Sequence, residues 1–248
     1  MTEIKNYQFV HDPEQIRLFY DEIIAPHTEH PTRSFILIPV ARRKYWGELS
    51  KGQITICTRT IYTHKLTFTK FLNTLLRYQV VEGLYTDQDR PIPAEAFGFY
   101  LTCDPMNERS TMFELINAFN KRIDTYLKSD RPDYVFDFNV NREYKSTLHR
   151  NPIKSVAKFD VDTKDEELIA KLDHFLEEQQ IPVKFKVETH NGYHYLIKKE
   201  DQNQALHKFA MKNKEWISIE NNALIIIPGT YQGGFATRIV AINEKSLI

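Results

Sequence analysis

Three features of the 248-residue sequence predict an α+β fold whose second half is a βαββαβ unit. Hydrophobic residues at 42% and charged residues at 27% describe an ordinary folded protein and exclude wholesale disorder. From residue 155 onward, strand-like runs alternate with amphipathic stretches bounded by capping or proline signals. Asn191-Gly192 lies between two strand-like runs, the strongest short hairpin signal, because both central turn positions favour positive φ. The length suits one unit with two halves, an N-terminal αβ module over 1–150 and a second half over 151–248.

In the first half, Ile16, Phe19, Ile23 and Ile24 have helical spacing, and Phe35-Ile36-Leu37-Ile38 reads as a strand. Residues 54–61 are β-rich, and Phe71, Leu72, Leu75 and Leu76 return to helical spacing. Residues 97–103 form the next strand candidate. Thr111 with Glu114 reads as a capping box for a helix carrying Met112, Leu115, Ile116, Phe119 and Ile123. A further strand is expected at 134–136, after Pro132.

In the second half, residues 156–162 read as a strand, and Thr163-x-x-Glu166 as a capping box opening a helix with Leu168, Ile169, Leu172, Phe175 and Leu176 on one stripe. Val183 to Val187 alternates as a half-buried strand does, and Tyr193 to Ile197 follows the Asn-Gly turn. Leu206, Phe209 and Ala210 mark a helix ending near Trp216; Leu224-Ile225-Ile226-Ile227 is a buried strand, and Gly233-Gly234 turns the chain into 235–242. This order is that of a ferredoxin-like, or RRM-like, sheet with helices on one face.

Charge and cysteine content narrow the function. With 33 basic and 33 acidic residues, the chain is not a basic coat for nucleic acid, so any nucleic-acid chemistry is local. Cys57 and Cys103 are too few for a disulfide framework or a four-cysteine zinc site. No apolar run approaches the roughly 20 residues that span a bilayer, and residues 1–12 lack the apolar core of a signal peptide. A cytoplasmic protein without a membrane partner is expected.

Strand alternation puts Lys158, Asp160 and Asp162 on one face and Ala157, Phe159 and Val161 on the other. Two carboxylates about 7 Å apart at the backbone suit divalent ions, and hard oxygen ligands favour magnesium or manganese. A solvated strand end is the simpler account of Asp-x-Asp taken alone. Asp137-Phe138-Asn139 is a weaker rival. With a two-residue turn at Asn191-Gly192, Thr189 faces His194, a hydroxyl beside an imidazole suited to a triphosphate, while His190 is a bland strand-end residue. Pro228-Gly229-Thr230 and Gly233-Gly234 hold three of the eight glycines, where exposed N–H groups suit a phosphate or sugar and where a plain hairpin turn needs glycine equally. Glu220 stands eight residues before Pro228 as a third acid, and Arg238 after the turn can reach phosphate.

The series Phe159-Asp160-Val161-Asp162, Gly192-Tyr193-His194 and Glu220 ahead of Ile227-Pro228-Gly229-Thr230 resembles the archaeo-eukaryotic primase superfamily, over about residues 155–242. The resemblance implies that Asp160, Asp162 and Glu220 hold catalytic magnesium or manganese and that His194 contacts the triphosphate of an incoming NTP or dNTP. Thr189 and Arg238 are geometric additions to that pocket. Glu220 stands where several plasmid and phage members have Asp, and Glu215 is the alternative. The implied enzyme is a stand-alone DNA-directed primase or primase-polymerase acting on single-stranded DNA, alongside a separate helicase or replication protein.

Two basic clusters, Arg42-Arg43-Lys44 with Tyr45, and Arg142 and Lys145 with His149 and Arg150, are candidates for template contact; salt bridges to the equal number of acids explain them as well. One rival reading is a rolling-circle replication nuclease, whose two histidines flank one apolar residue, whereas His190 and His194 lie four apart. Another is a catalytically inactive nucleic-acid-binding protein of the same fold.

Overall fold

A computed structural model describes residues 5–129, 138–220 and 223–242, an α+β arrangement of two large antiparallel sheets and two two-stranded ribbons with helices. The strand expected at 134–136 and the rival acid Asp137 lie outside the described residues. No helix among the described residues is long and apolar enough to cross a membrane.

The chain opens with helix α1 (Pro13–Phe19), capped by Asp12, whose carboxylate accepts from the N–H groups of Glu14 and Gln15. A π-helical turn, Tyr20–Ile24, extends it, so the expected apolar stripe is one continuous buried segment. Strand β1 (Arg33–Arg42) is buried through all but its end residues, which explains its unbroken apolar run. It pairs with β2 (Gln53–Thr55), β3 (Arg59–Tyr62), β4 (Phe97–Thr102) and β5 (Met106–Asn107). Helix α2 (Phe68–Leu76) lies between β3 and β4 in the chain.

Helix α3 (Glu108–Leu127) begins three residues before Thr111, because Asn107 is the cap and accepts from the Ser110 N–H. Thr111 instead donates its hydroxyl to the Asn107 carbonyl inside the first turn. Of the stripe expected on this helix, Leu115 is buried, while Met112, Ile116 and Phe119 are exposed. Helix α4 (Val140–Arg150) follows, its N-cap supplied by Asn139.

The second sheet comprises β6 (Val156–Val161), β7 (Val183–Glu188), β8 (Tyr193–Lys198) and β9 (Ile217–Glu220), with α5 (Glu166–Glu178) and α6 (Gln204–Lys212) between strands. The cap of α5 is Asp165, which accepts from Glu167 and Leu168, while Thr163 only accepts from the Asp165 N–H. The sequence places the fourth strand of this unit at 224–227. Instead Ile217–Glu220 fills that place beside β6, and β10 (Leu224–Ile226) crosses to the first sheet, pairing with β4. Residues 151–248 therefore contribute to both sheets. Strand β11 (Arg238–Ile242) closes the far edge beside β7, giving the order β9-β6-β8-β7-β11.

The two faces of this sheet are unlike. Ala157, Phe159, Val161, Tyr195, Ile197 and Ile217 pack against Leu172 and Leu176 of α5 and Leu206 and Ala210 of α6. Val156, Phe185, Val187 and Leu196 face the other way and join the core of the first sheet. Lys158, Asp160 and His194 share that second face, between the layers.

The hairpin between β7 and β8 is seated two residues away from the expected register. Glu188 pairs with Tyr193 and Val187 with His194, and Thr189 closes the turn on the Gly192 carbonyl. His190 and Asn191, rather than Asn191 and Gly192, occupy the turn. A slip of two preserves the faces, so Thr189 and His194 still share one. Gly192 serves a close approach: a Cβ there would lie 1.8 Å from the Val161 carbonyl oxygen.

Candidate active site

Cross-strand register on β6 creates the central contacts. Asp160 stands opposite His194 on one side and Ser218 on the other, while Lys158 stands opposite Glu220. The His194 Nε2 lies 3.2 Å from Asp160 Oδ1. The Lys158 ammonium lies 2.8 Å from Glu220, 3.6 Å from Asp160, and donates to the Leu224 carbonyl at 3.0 Å. These groups line a cavity of about 400 Å³ with Asp162, Thr189, Asn191, Arg42, Lys44, Tyr100 and Gln232. Arg42 comes from the end of β1 and lies 4.8 Å from the Tyr100 ring centre, and its Nε is buried without a hydrogen-bond partner.

Burial disfavours the Asp160 charge, yet the hydrogen bond from His194 and the nearby ammoniums of Lys158 and Lys44 outweigh it and hold the carboxyl well below the usual range. Burial likewise opposes the charge of Lys158, which is 4% exposed, but Asp160, Cys103 and Glu220 raise its pKa above the ordinary lysine value. His194 moves down, first through burial and then through Lys158, so its imidazole is neutral. Its Nδ1 is 3.4 Å from the Ile226 N–H and accepts from it, which leaves the proton on Nε2, facing Asp160. Both ring nitrogens are thereby engaged, and His194 orients Asp160 rather than offering a free donor.

Of the expected site residues, Asp160, Asp162, Glu220, Thr189, His194, Arg42 and Lys44 come together at the cavity. Glu215 is exposed and outside the lining, which leaves Glu220 as the third acid of the site. Arg238 is not brought there: its guanidinium bonds Glu188 at 2.7 Å and is largely exposed, because it stands opposite Glu188 on the edge strand. Arg43 is spent on the Leu49 and Ser50 carbonyls. Arg142 and Lys145 are exposed on α4, away from the lining. The Pro228-Gly229-Thr230 turn does not present its N–H groups to a ligand. The Gly229 N–H donates to Thr237 and its carbonyl accepts from His11 and Asp12, while the Thr230 N–H donates to Ile227. Gly229 has φ +83° and abuts the Asp12 carbonyl, which explains the glycine.

Tyr100, Asn191 and Gln232 are lining residues that sequence reasoning missed. Gln232 bridges the layers, accepting from the His190 N–H at 2.7 Å and donating to the Tyr100 hydroxyl at 2.9 Å. Nothing local in the sequence pairs positions 100 and 232. Lys158 was visible as a neighbour of the acids on one strand face; its ion pairs needed the register of β9.

The donor set fits a divalent cation in part. Asp160 is held ionised, and Asp162 sits just past the end of β6 at the same cavity. Glu220 instead faces the Lys158 ammonium, and no group of three or more His, Cys, Asp and Glu side chains among the described residues converges as a metal site. No family model matches the chain, and no curated protein or solved structure is significantly similar to it.

Proposed function

We propose that the protein is a metal-dependent nucleotidyltransferase of the primase or primase-polymerase type, acting in the cytoplasm on single-stranded DNA with NTPs or dNTPs. The observation that carries this reading is the cavity that gathers Asp160, Asp162, Glu220, Thr189 and His194 beside Arg42 and Lys44. The strand order β9-β6-β8-β7, with helices on the opposite face, supports an RRM-like catalytic sheet.

In this reading Asp160 and Asp162 hold magnesium or manganese, which stabilises charge developing on the departing pyrophosphate. His194 keeps Asp160 oriented and ionised through its Nε2–H. The Thr189 hydroxyl, which already accepts from the Gly192 N–H at 3.2 Å, is free to donate to a phosphate oxygen. Arg42 and Lys44 supply positive charge to the triphosphate, and the Arg42 guanidinium can bind it in bidentate fashion.

The test is incorporation of labelled ribo- and deoxynucleotides on single-stranded DNA, with and without a primer, in magnesium or manganese. Asp160→Asn with Asp162→Asn is expected to reduce incorporation by about 10³ or more. Equal incorporation by the variant and the wild type would sink the assignment.

The Lys158 ammonium between Asp160 and Glu220 favours a second reading, a catalytically inactive nucleic-acid-binding protein in which a side-chain cation replaces a metal. Manganese titration by calorimetry separates the two, since the inactive form binds none. The rolling-circle reading has less support, because the His190 ring lies tilted against Tyr45 at 5.4 Å and does not join His194 at the cavity. A covalent tyrosine–DNA adduct would revive it.

A further inference from the structure

A second cavity, of about 640 Å³, opens at the other end of β6. Its walls hold Lys154, Lys184, Lys198 and Lys199, with His27 and one acid, Glu200. Four lysines against one glutamate is a marked local imbalance in a chain with no net charge. Lys154 comes from the loop before β6, Lys184 from β7, Lys198 from the end of β8 and Lys199 from the 3-10 turn that follows it.

A β-bulge accounts for the position of Lys184. Leu196 pairs with Phe185, but Ile197 pairs with Val183, which makes Lys184 the extra residue on its strand. Phe185 belongs to the core between the sheets and Val183 packs on the helix side, so the strand changes face across Lys184. The bulge thus re-aims a lysine at a cavity already lined by other cations.

The nearby acids offset the charge of Lys154, Lys184 and Lys198 only in part, the strongest pull on Lys184 coming from Glu22. Glu200 pairs with Lys198 at 3.7 Å, with both side chains well exposed, so the pair is weak. Asp104 is committed to the Ser155 N–H and hydroxyl and the Val156 N–H. Burial lowers the pKa of Lys184, and Lys198 lowers it further against the pull of Glu22 and Asp104. Burial, Arg33, Lys184 and His30 bring His27 down to about 4. Such mutual repulsion is relieved by a bound anion.

We propose that this cavity binds consecutive backbone phosphates of a single-stranded nucleic acid. Five residues of extended chain separate Ser155 from Asp160, about 17 Å. At about 3.4 Å per stacked nucleotide, that span is on the order of five nucleotides. The choice of a strand over a free polyphosphate rests on the polymerising reading of the first cavity.

The test is anisotropy of a labelled oligothymidine of about 20 nucleotides across a salt series. Lys154→Ala with Lys198→Ala changes two exposed side chains and should leave the thermal unfolding transition in place. Loss of two phosphate contacts should make the slope of log K against log salt shallower by about 1.4 and weaken binding on the order of tenfold at low salt. Lys154→Arg with Lys198→Arg should retain both. An unchanged slope and affinity in the alanine variant would overturn the proposal, as would a wild-type chain that binds no oligothymidine. Lost binding of inorganic triphosphate, or of phosphatidylglycerol vesicles, with oligothymidine binding intact would overturn it in favour of that other anion. Asp160→Asn with Asp162→Asn should keep the salt slope. Strand binding without incorporation therefore marks failure of the catalytic reading, and incorporation with an unchanged slope in the lysine variant marks failure of this one.

Discussion

The cavities at the two ends of β6 collect comparable numbers of cations in opposite charge settings. At one end Arg42, Lys44 and Lys158 are interleaved with Asp160, Asp162 and Glu220. At the other, four lysines face one glutamate. In the mixed cavity each sign stabilises the other: Asp160 is held below its usual range and Lys158 above its own, both against the cost of burial. In the basic cavity burial moves Lys184 and His27 down; Arg33 and Lys184 push His27 further, while Lys198 adds to the fall of Lys184 against the pull of Glu22 and Asp104. A cluster of ionisable side chains therefore does not define a ligand by its count. The arrangement of signs decides whether the cluster is internally satisfied or calls for a counter-ion.

The sharpest way to break the comparison is Gly192→Ala. The added Cβ would meet the Val161 carbonyl at 1.8 Å, so the hairpin carrying Thr189 and His194 must lift from β6. We expect a loss of about 3 kcal/mol in urea unfolding, with oligothymidine binding at the basic cavity retained. A change within about 0.5 kcal/mol would mean that the hairpin is not seated as described.

Lys158→Met probes the balance of the mixed cavity. It leaves Asp160 and Glu220 without the cation between them, and the cost should be about 2 kcal/mol, below that of a fully buried pair because Glu220 is 42% exposed. Adding Glu220→Gln should recover most of that loss in a double-mutant cycle. Additive losses would show that the ion pair does not couple the two residues.

The smallest effect belongs to His27 in the basic cavity. The Arg33 guanidinium donates to its Nδ1 at 2.7 Å, so the folded state holds a neutral ring. The unfolded chain takes up a proton below about pH 6.5, and the folded chain does so only near 4. Stability is thus complete above about 6.5 and falls as the pH drops towards 4. His27→Asn should flatten that decline by about 1–2 kcal/mol, a figure reduced because the ring is only half-buried. Parallel pH profiles for variant and wild type in urea unfolding would contradict the assignment.

Much of the mixed cavity was legible before any coordinates. A period of two along a strand places Lys158, Asp160 and Asp162 together whatever surrounds them. The same period kept Thr189 and His194 on one face, although Val187 rather than Thr189 pairs with His194, since the hairpin slipped by an even number of residues. The helix starts were less legible, because Asn107 and Asp165 outcompete Thr111 and Thr163 as caps within four residues. The fourth strand was hidden for a related reason. Ile-Ser-Ile-Glu is a short segment with little signal of its own, whereas the apolar run after it suits either sheet.

Residue type and local spacing by themselves determined the α+β class, the acid face of β6 and the hairpin histidine. Tertiary structure decided which residues meet them. Arg42 and Lys44 arrive from more than 100 residues away, β10 leaves for the first sheet, and Arg238 turns outward to Glu188. It also built the basic cavity, where one bulge and three chain segments converge without any motif. Periodicity is a property of neighbours along the chain, so it can be read there. Strand order, edge position and the packing of one layer on another depend on contacts between distant segments, which no local pattern encodes.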